Sequence, residues 1–334
     1  MFFSVIIPSY NSKRTLPRTV DNVLNSSYKN FEVIIVDDAS DEKVEGYISA
    51  GDNIKIIRNN SQKGPAYARN LGAHEANGDI LFFLDSDIYI KEHTLSRVKE
   101  DFEEKGIDGV TGIYDLRIPY DDFLSNYFNL RIRKGYLNMS ENTEACNAAI
   151  FAVKKDVFAK VGEFNPGYKT ASIEDIEFGI RFVSRGYKMM LDKELSVIHD
   201  KKMTLKSILK NDFVRPTDRV VFVLNLKGAK DVFKKKRFSY VSLSQLVATI
   251  LTPFFWVTLL LSFFNSYYLV VAAVFLLSCI YLNRDWLLYF YRQKGLTFSL
   301  KGLVFILITL TTAFLGITKG LLTNLKAKIA LNIC

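Results

Sequence analysis

The sequence predicts an α/β fold with a mostly parallel sheet over its first two thirds, followed by an α-helical membrane region. Three observations predict it. Short, unbroken apolar runs alternate with helix-like stretches from the N-terminus to about residue 84. Several of these runs end in clustered polar residues, at the strand ends where open parallel sheets bind ligands. The last third carries long apolar runs and all of the chain's excess positive charge.

"SVIIPSY" reads as the first strand, because continuous rather than alternating apolar residues mark a strand covered on both faces. Helix-like "TLPRTVDNVLNSS" follows, then the strands "FEVIIVDDAS" and "NIKIIRN", a helix over 65–76 and the strand "DILFFLDSD". Strand, helix, strand in that order gives βαβ units with right-handed crossovers. Pro8-Ser9-Tyr10-Asn11, Asp37-Asp38 and Asp85/Asp87 then lie at carboxyl ends of strands and are expected to converge on one edge. Beyond Asp87 a charged helix is expected over 92–105, then a strand in "DGVTGIYDL" and a helix in the aromatic stretch "YDDFLSNYFNLRIRKGY". "NAAIFAVKKDVFAKVGEF" reads as strand, short helix and turn. "SIEDIEFGIRFVSRGYKM" places Ile176, Ile180 and Val183 at helical spacing, with Gly186 as its stop. "KELSVIHD" is a last strand, ending at His199 and Asp200.

At 334 residues the chain is long enough for about two units. Its charge of +9 is uneven: residues 226–334 hold 13 Lys/Arg against 2 Asp/Glu, leaving 31 against 33 in residues 1–225. A basic, apolar tail on a near-neutral body indicates a membrane partner and excludes nucleic acid, which needs basic residues on the folded body. Cys146, Cys279 and Cys334 are far apart and show neither disulfide nor zinc spacing, which suits a reducing compartment. "MFFSVIIPSYN" lacks a basic n-region and a cleavage site, so the body is expected in the cytoplasm. Three apolar runs follow, over 243–264, 267–282 and 302–322; the first and third are long enough for a hydrocarbon core of about 30 Å. Tyr267, Tyr268, Tyr281 and Trp286 suit the membrane interface as anchors for the shorter second run. Basic residues at 234–237 and at Arg284, Arg292, Lys294 and Lys301 orient those ends to the cytoplasm and the uncharged "NSYY" outward. An odd number of spans puts the C-terminus outside, against Lys326 and Lys328, and a re-entrant last segment would reconcile them. The expected division is a body over 1–225, a basic juxtamembrane linker over 226–242 and a membrane region of about three helices over 243–334. The expected location is the inner membrane, multi-pass. Gly316 and Gly320 form a GxxxG packing face in the last run, interrupted by Lys319.

In "DILFFLDSDIYI" a fully apolar strand runs into Asp85 and Asp87, separated by one serine. Acids that close repel unless a lysine, a helix N-terminus or a metal lies between them. "VIIPSYN", "VIIVDDAS", "GPAYARNLGA", "FLDSD" and "IEDIEFGIR", in this order within residues 3–200, resemble an inverting family 2 glycosyltransferase of the GT-A, Rossmann-like fold. The resemblance implies a nucleotide-sugar donor whose departing diphosphate is neutralised by a divalent cation on hard oxygen ligands, Mg²⁺ or Mn²⁺. It assigns the metal to Asp87, with Asp85 on the ribose or a metal-bound water and His199 as a further ligand. Pro8, Tyr10 and Asn11 match the first nucleotide-contacting turn, where the tyrosine ring stacks on the base. One of Asp37 and Asp38, with Asp37 preferred, is expected to accept from a uracil N3–H. Arg69 is expected to reach the base or diphosphate, with Lys63-Gly64 letting the loop backbone approach. Glu174-Asp175 matches a motif in which the Asp is the base for the acceptor hydroxyl and the Glu supports the acceptor.

Arg215 and Arg219, in "NDFVRPTDR", stand where processive synthases carry QxxRW, and are expected to close over the donor diphosphate or a lipid phosphate. The absence of QxxRW speaks against polymer synthesis. The function implied is transfer of one sugar, from a UDP-sugar foremost, to a polyprenyl-linked acceptor in cell-surface glycan or polysaccharide synthesis. Residues 120–136 and 213–219 are expected to shape the acceptor groove. Two other classes compete. A sugar-1-phosphate nucleotidyltransferase needs glycines after the first strand, which "IPSYNSKRT" lacks. A membrane-anchored scaffold without catalysis would have no need of these acids.

Overall fold

The apolar runs Phe3–Ser9, Phe31–Asp37 and Ile80–Leu84 form strands buried on both faces, whereas the edge strand Ile54–Arg58 is only partly buried. The computed structural model describes residues 1–168, 170, 172–225 and 242–333. Strands β1 (Phe3–Ser9), β2 (Phe31–Asp37), β3 (Ile54–Arg58) and β4 (Ile80–Leu84) pair in parallel in the order β3-β2-β1-β4. Helices α1 (Leu16–Leu24) and α2 (Pro65–His74) make the crossovers. The chain continues through β5 (Ile88–Tyr89), α3 (Thr94–Glu104), β6 (Gly109–Tyr114), α4 (Phe123–Leu137), β7 (Ile150–Lys154), α5 (Lys155–Val161), α6 (Glu174–Ser184) and β8 (Met189–His199). The full order is β3-β2-β1-β4-β7-β6-β8-β5, with β7 antiparallel to both neighbours and β5 antiparallel to β8. The sheet is thus a mostly parallel, mixed one, as expected.

The chain divides into two units, Met1–Tyr120 with Gly135–Lys202, and Asp121–Lys134 with Met203–Cys334. The sequence places the first boundary at 225; the structure places it after Lys202, because Leu205–Asn225 is a helix (α7) that packs within the second unit. The linker read over 226–242 lies, apart from Ser242, outside the described residues.

An aromatic cluster seats α5 and α6 on the first unit's sheet. Phe83 of β4 lies 5.1 Å from Phe158 and 5.2 Å from Phe164, and Phe178 of α6 lies 4.8 Å from Phe164. The approach of α6 is closest at Gly179, where a Cβ would stand 2.1 Å from the Glu144 carbonyl oxygen. Gly179→Ala is therefore expected to destabilise the unit by about 1–3 kcal/mol, read as a lower unfolding midpoint. An unchanged midpoint would mean that α6 slides to make room.

In the second unit, Tyr127, Phe128 and Leu130 of α4 are buried with Ile208 of α7 and with Phe290 and Ile306 of the long helix α10 (Arg284–Ile333). Arg131 and Asp212 form a two-pronged pair at 2.9 and 2.6 Å. The GxxxG pair does pack a helix. A Cβ on Gly316 would stand 2.3 Å from the Phe213 carbonyl oxygen and one on Gly320 2.8 Å from that of Thr217. Lys319 does not spoil this face, since its ammonium lies over the Phe213 ring.

Of the three apolar runs, two form helices long and apolar enough to cross a membrane: α8 (Leu243–Leu261) and the stretch Arg284–Lys326 of α10, which is broken at Gly295 by a φ of 82°. Of the most apolar window in each of these two helices, 28% is buried. The run between them, α9 (Tyr267–Leu282), has 16 residues, about 24 Å at 1.5 Å per residue, and is short of a full span.

Candidate active site

The site is assembled at the carboxyl ends of β1, β2 and β4, where backbone turns replace ladder bonds and leave side chains free to face one edge. After β1, Asn11 takes a left-handed φ of 51° and clasps the loop after β2: its backbone N–H donates to Ser40 Oγ and its side-chain amide donates to Asp41. Tyr10 stands beside it with 44% of its surface exposed, and Pro8 is half-buried.

Asp37 and Asp38 are both buried and both spent on the protein. Asp37 pairs with Arg58 and accepts from Ser40 N and Val44 N. Asp38 accepts from Asn59 Nδ2 at 2.7 Å, Lys63 N at 2.9 Å and Gly64 N at 2.7 Å, and so holds the loop that starts α2. The preferred base-binding residue, Asp37, is fully buried, and its carboxylate serves first to shape the β2 turn.

At the end of β4 the two acids are neutralised separately. Asp85 Oδ1 accepts from Arg69 Nη2 at 2.7 Å. Asp87 Oδ2 lies 3.6 Å from His199 Nε2 and 4.0 Å from Lys201 Nζ. Burial pushes the Asp87 carboxyl up, but His199 and Lys201 pull it further down, to about 2. Ser86 between them is gripped through its hydroxyl by Ser12 at 2.8 Å and through its carbonyl by Thr19. Each acid thus faces a basic side chain of its own, Arg69 for Asp85 and Lys201 for Asp87. His199 is carried there by the β5–β8 pairing, in which it faces Ile88, and its ring stacks on Tyr114 at 4.4 Å.

The donor set of Asp85, Asp87 and His199 suits a hard or borderline divalent cation, and side-chain exposures of 33% and 23% leave the two carboxylates reachable. Among the described residues no three His, Cys, Asp or Glu side chains already converge as a cage.

Glu174 and Asp175 open α6, where the helix dipole favours anions. Asp175 is half-buried and its Oδ1 accepts from Ile176 N. Glu174 turns inward: it is 3% exposed, with Oε1 on Arg69 Nη1 at 3.3 Å and Oε2 on Ser172 N at 2.8 Å. Arg69 is the cation expected at the base or diphosphate. Its guanidinium is buried between Asp85 and Glu174. Arg215 and Arg219 lie on α7, in the second unit, and are not among the residues the first unit brings together.

One cluster has no local signal in the sequence. Asp200, next to His199, accepts from Tyr89 OH and Tyr120 OH at 2.5 Å each and from Arg14 Nη1 at 3.0 Å, while its backbone N–H donates to Asp87 O. Burial alone would raise the Asp200 carboxyl, but the two phenols and Arg14 hold it below the usual range. Burial and the Asp200 charge push both phenols up. These residues join the β1–α1 loop, β5, the segment after β6 and the end of β8 around Asp87.

Residues 4–162 match the family described as Glycosyl transferase family 2. An uncharacterized glycosyltransferase of Haemophilus influenzae is 28% identical over 228 residues, covering 64% of this chain and 75% of the relative. The Escherichia coli protein UDP-Glc:alpha-D-GlcNAc-diphosphoundecaprenol beta-1,3-glucosyltransferase WfaP is 31% identical over 188 residues, covering 55% of this chain and 71% of its own. Glycosyltransferase GlyG of Streptococcus pneumoniae is matched over only 42% of its length. Among solved structures, the mannosyltransferase PcManGT of Pyrobaculum calidifontis, in complex with GDP-Man and Mn²⁺, superposes with a TM-score of 0.60 at 16% identity, covering 97% of this chain and 86% of that one. That likeness shows the fold, a GT-A sheet with a C-terminal helical region.

Proposed function

The chain belongs to glycosyl transferase family 2, and from that premise we propose that it is an inverting enzyme moving one sugar from a nucleotide-sugar donor to a membrane-held, polyprenyl-linked acceptor. The observation that supports this reading is that Asp85 shares Arg69 with Glu174, the first residue of α6, while Asp87, two residues on, faces His199. In the reaction an acceptor hydroxyl oxygen bonds to the anomeric carbon as the bond from that carbon to the diphosphate breaks. The electron pair leaves with the diphosphate and the hydroxyl proton passes to the Asp175 carboxylate. Asp85, Asp87 and His199 would hold Mg²⁺ or Mn²⁺, which when bound supplies charge neutralisation for the departing diphosphate. Lys201 adds a cation within 4.0 Å of Asp87. Tyr10 presents its exposed ring for stacking on the base, with Pro8, Asn11, Asp37 and Asp38 shaping the turn around it.

A UDP-sugar is the first choice of donor, because WfaP by its name takes UDP-Glc and an undecaprenol-linked acceptor; GDP-Man in PcManGT makes a GDP-sugar the second. We assign residues 1–202, without the 121–134 excursion, to a cytoplasmic catalytic unit. Helices α8 and α10 would hold it at the inner membrane near the lipid acceptor, and we assign Arg215 and Arg219 to a lipid phosphate. The test is thermal stabilisation of the detergent-purified chain by UDP, GDP, dTDP and CMP, with Mn²⁺, with Mg²⁺ and with EDTA. One nucleotide is expected to raise the unfolding temperature only with metal. No response to any of them would sink the donor reading and leave a membrane-anchored scaffold.

A further inference from the structure

We propose that Arg69 is a positioning residue that fixes Glu174 against Asp85, tying the donor-side and acceptor-side acids into one unit; this rests on the proposed transferase reading. Arg69 is 3% exposed, so its guanidinium is not offered to a ligand. Its two terminal nitrogens reach separate carboxylates, Nη2 to Asp85 Oδ1 at 2.7 Å and Nη1 to Glu174 Oε1 at 3.3 Å. The partners lie 16 and 105 positions away, so only the tertiary fold brings them together. Guanidinium is suited to this because it carries donors on separate nitrogens in one rigid plane, whereas an ammonium offers all of its donors from a single rotating atom.

The helix carrying Arg69 is itself pinned at both sides. Asp38 holds the Lys63 and Gly64 amides at its start. The neighbouring Asn70 binds both backbone groups of Phe164, donating to its carbonyl at 2.7 Å and accepting from its N–H at 3.1 Å. The Phe164 ring in turn lies under the Arg69 guanidinium, 5.7 Å from it. Arg69 and Asn70 therefore fix both the segment that leads towards α6 and the first carboxylate of that helix. Without the guanidinium, Asp85 and Glu174 would face each other uncompensated, and Glu174 would lose the partner that sets its rotamer.

The test uses the full-length chain in detergent. Binding of UDP and of GDP, each with Mn²⁺, is measured calorimetrically, and release of UDP or GDP on transfer of the sugar from UDP-glucose or GDP-mannose to added polyprenyl phosphate gives kcat and KM. Arg69→Lys is expected to lower kcat by about tenfold or more, with donor KM and nucleotide affinity within about threefold of wild type. In an E174Q background the same change is expected to cost far less, because a residue acting through Glu174 has little left to act on. An R69M variant that fails to fold leaves the test intact, since R69K keeps the buried charge and loses only the fork. Nucleotide affinity falling about tenfold or more with kcat retained would make Arg69 a ligand contact and overturn the inference. Losses that multiply in R69K/E174Q would overturn it as well. A wild-type chain that binds neither UDP nor GDP fails the transferase reading before any variant is read, and takes this inference with it.

Discussion

Asp175→Asn is expected to cut sugar transfer by about 10²–10⁴-fold, the contribution of a positioned general base. Asparagine keeps an oxygen that accepts the Ile176 amide, as Asp175 Oδ1 does now, so the start of α6 should keep its geometry. What it lacks is a site that takes a proton at neutral pH. Losing one negative charge from the first turn costs the helix about 0.3–1 kcal/mol, too little to unfold the unit. Nucleotide affinity should therefore stay near that of wild type while turnover collapses. The check is paired: calorimetric binding and steady-state release of nucleotide on the same preparation. Full turnover in D175N would remove Asp175 from the role of base, and Glu174, buried and bound to Arg69, would be a poor replacement.

Asp87→Ala is expected to abolish metal-dependent stabilisation by nucleotide. In the wild-type chain a nucleotide at about 100 times its Kd adds about 2.7 kcal/mol, which for a unit of this size is a rise of about 5–10 °C in unfolding temperature. Alanine removes the carboxylate that His199 and Lys201 hold in its charged form at ordinary pH. The rise should then vanish with Mn²⁺ or Mg²⁺ present and match the value seen with EDTA. An unchanged, metal-dependent rise in D87A would mean that the cation is held elsewhere. A rise indifferent to metal in both proteins would give these acids some other work.

Strands β1, β2 and β4 were legible because they are buried on two faces and therefore written as solid apolar runs; β4 is buried at every position, while the edge strand β3 is only partly buried. The rule that ligands gather at carboxyl ends then placed Asp85, Asp87 and the β1 turn correctly on one edge. Strand direction was not legible for β7, since an apolar run carries no sign of whether it pairs parallel or antiparallel. The helix α7 was missed for a physical reason: Pro216 and its charges weaken the local pattern, and packing along α10 at Gly316 supplies what propensity lacks. At the site, acids near a strand or helix end announce themselves, whereas their partners do not. The helix position of Arg69 is visible in the sequence; its burial between two distant carboxylates is not. The Asp200 cluster, which draws on Arg14 at a separation of 186 residues, left no local trace at all.

Because residues 121–134 belong with the helical unit, the chain contributes to that unit from two separate stretches of sequence. A chain cut after Lys202 would keep Tyr127, Phe128 and Leu130 but lose Ile208, Phe290 and Ile306, with which they are buried. Such a fragment would present a greasy helix to water and is a poor candidate for soluble expression or for grafting onto a foreign anchor. Replacing 121–134 by a short polar bridge from Tyr120 to Gly135 would be the more promising cut. The same entanglement bears on inheritance: a recombination that exchanged only the C-terminal half would deliver new helices to an old α4, so the two halves are constrained to change together.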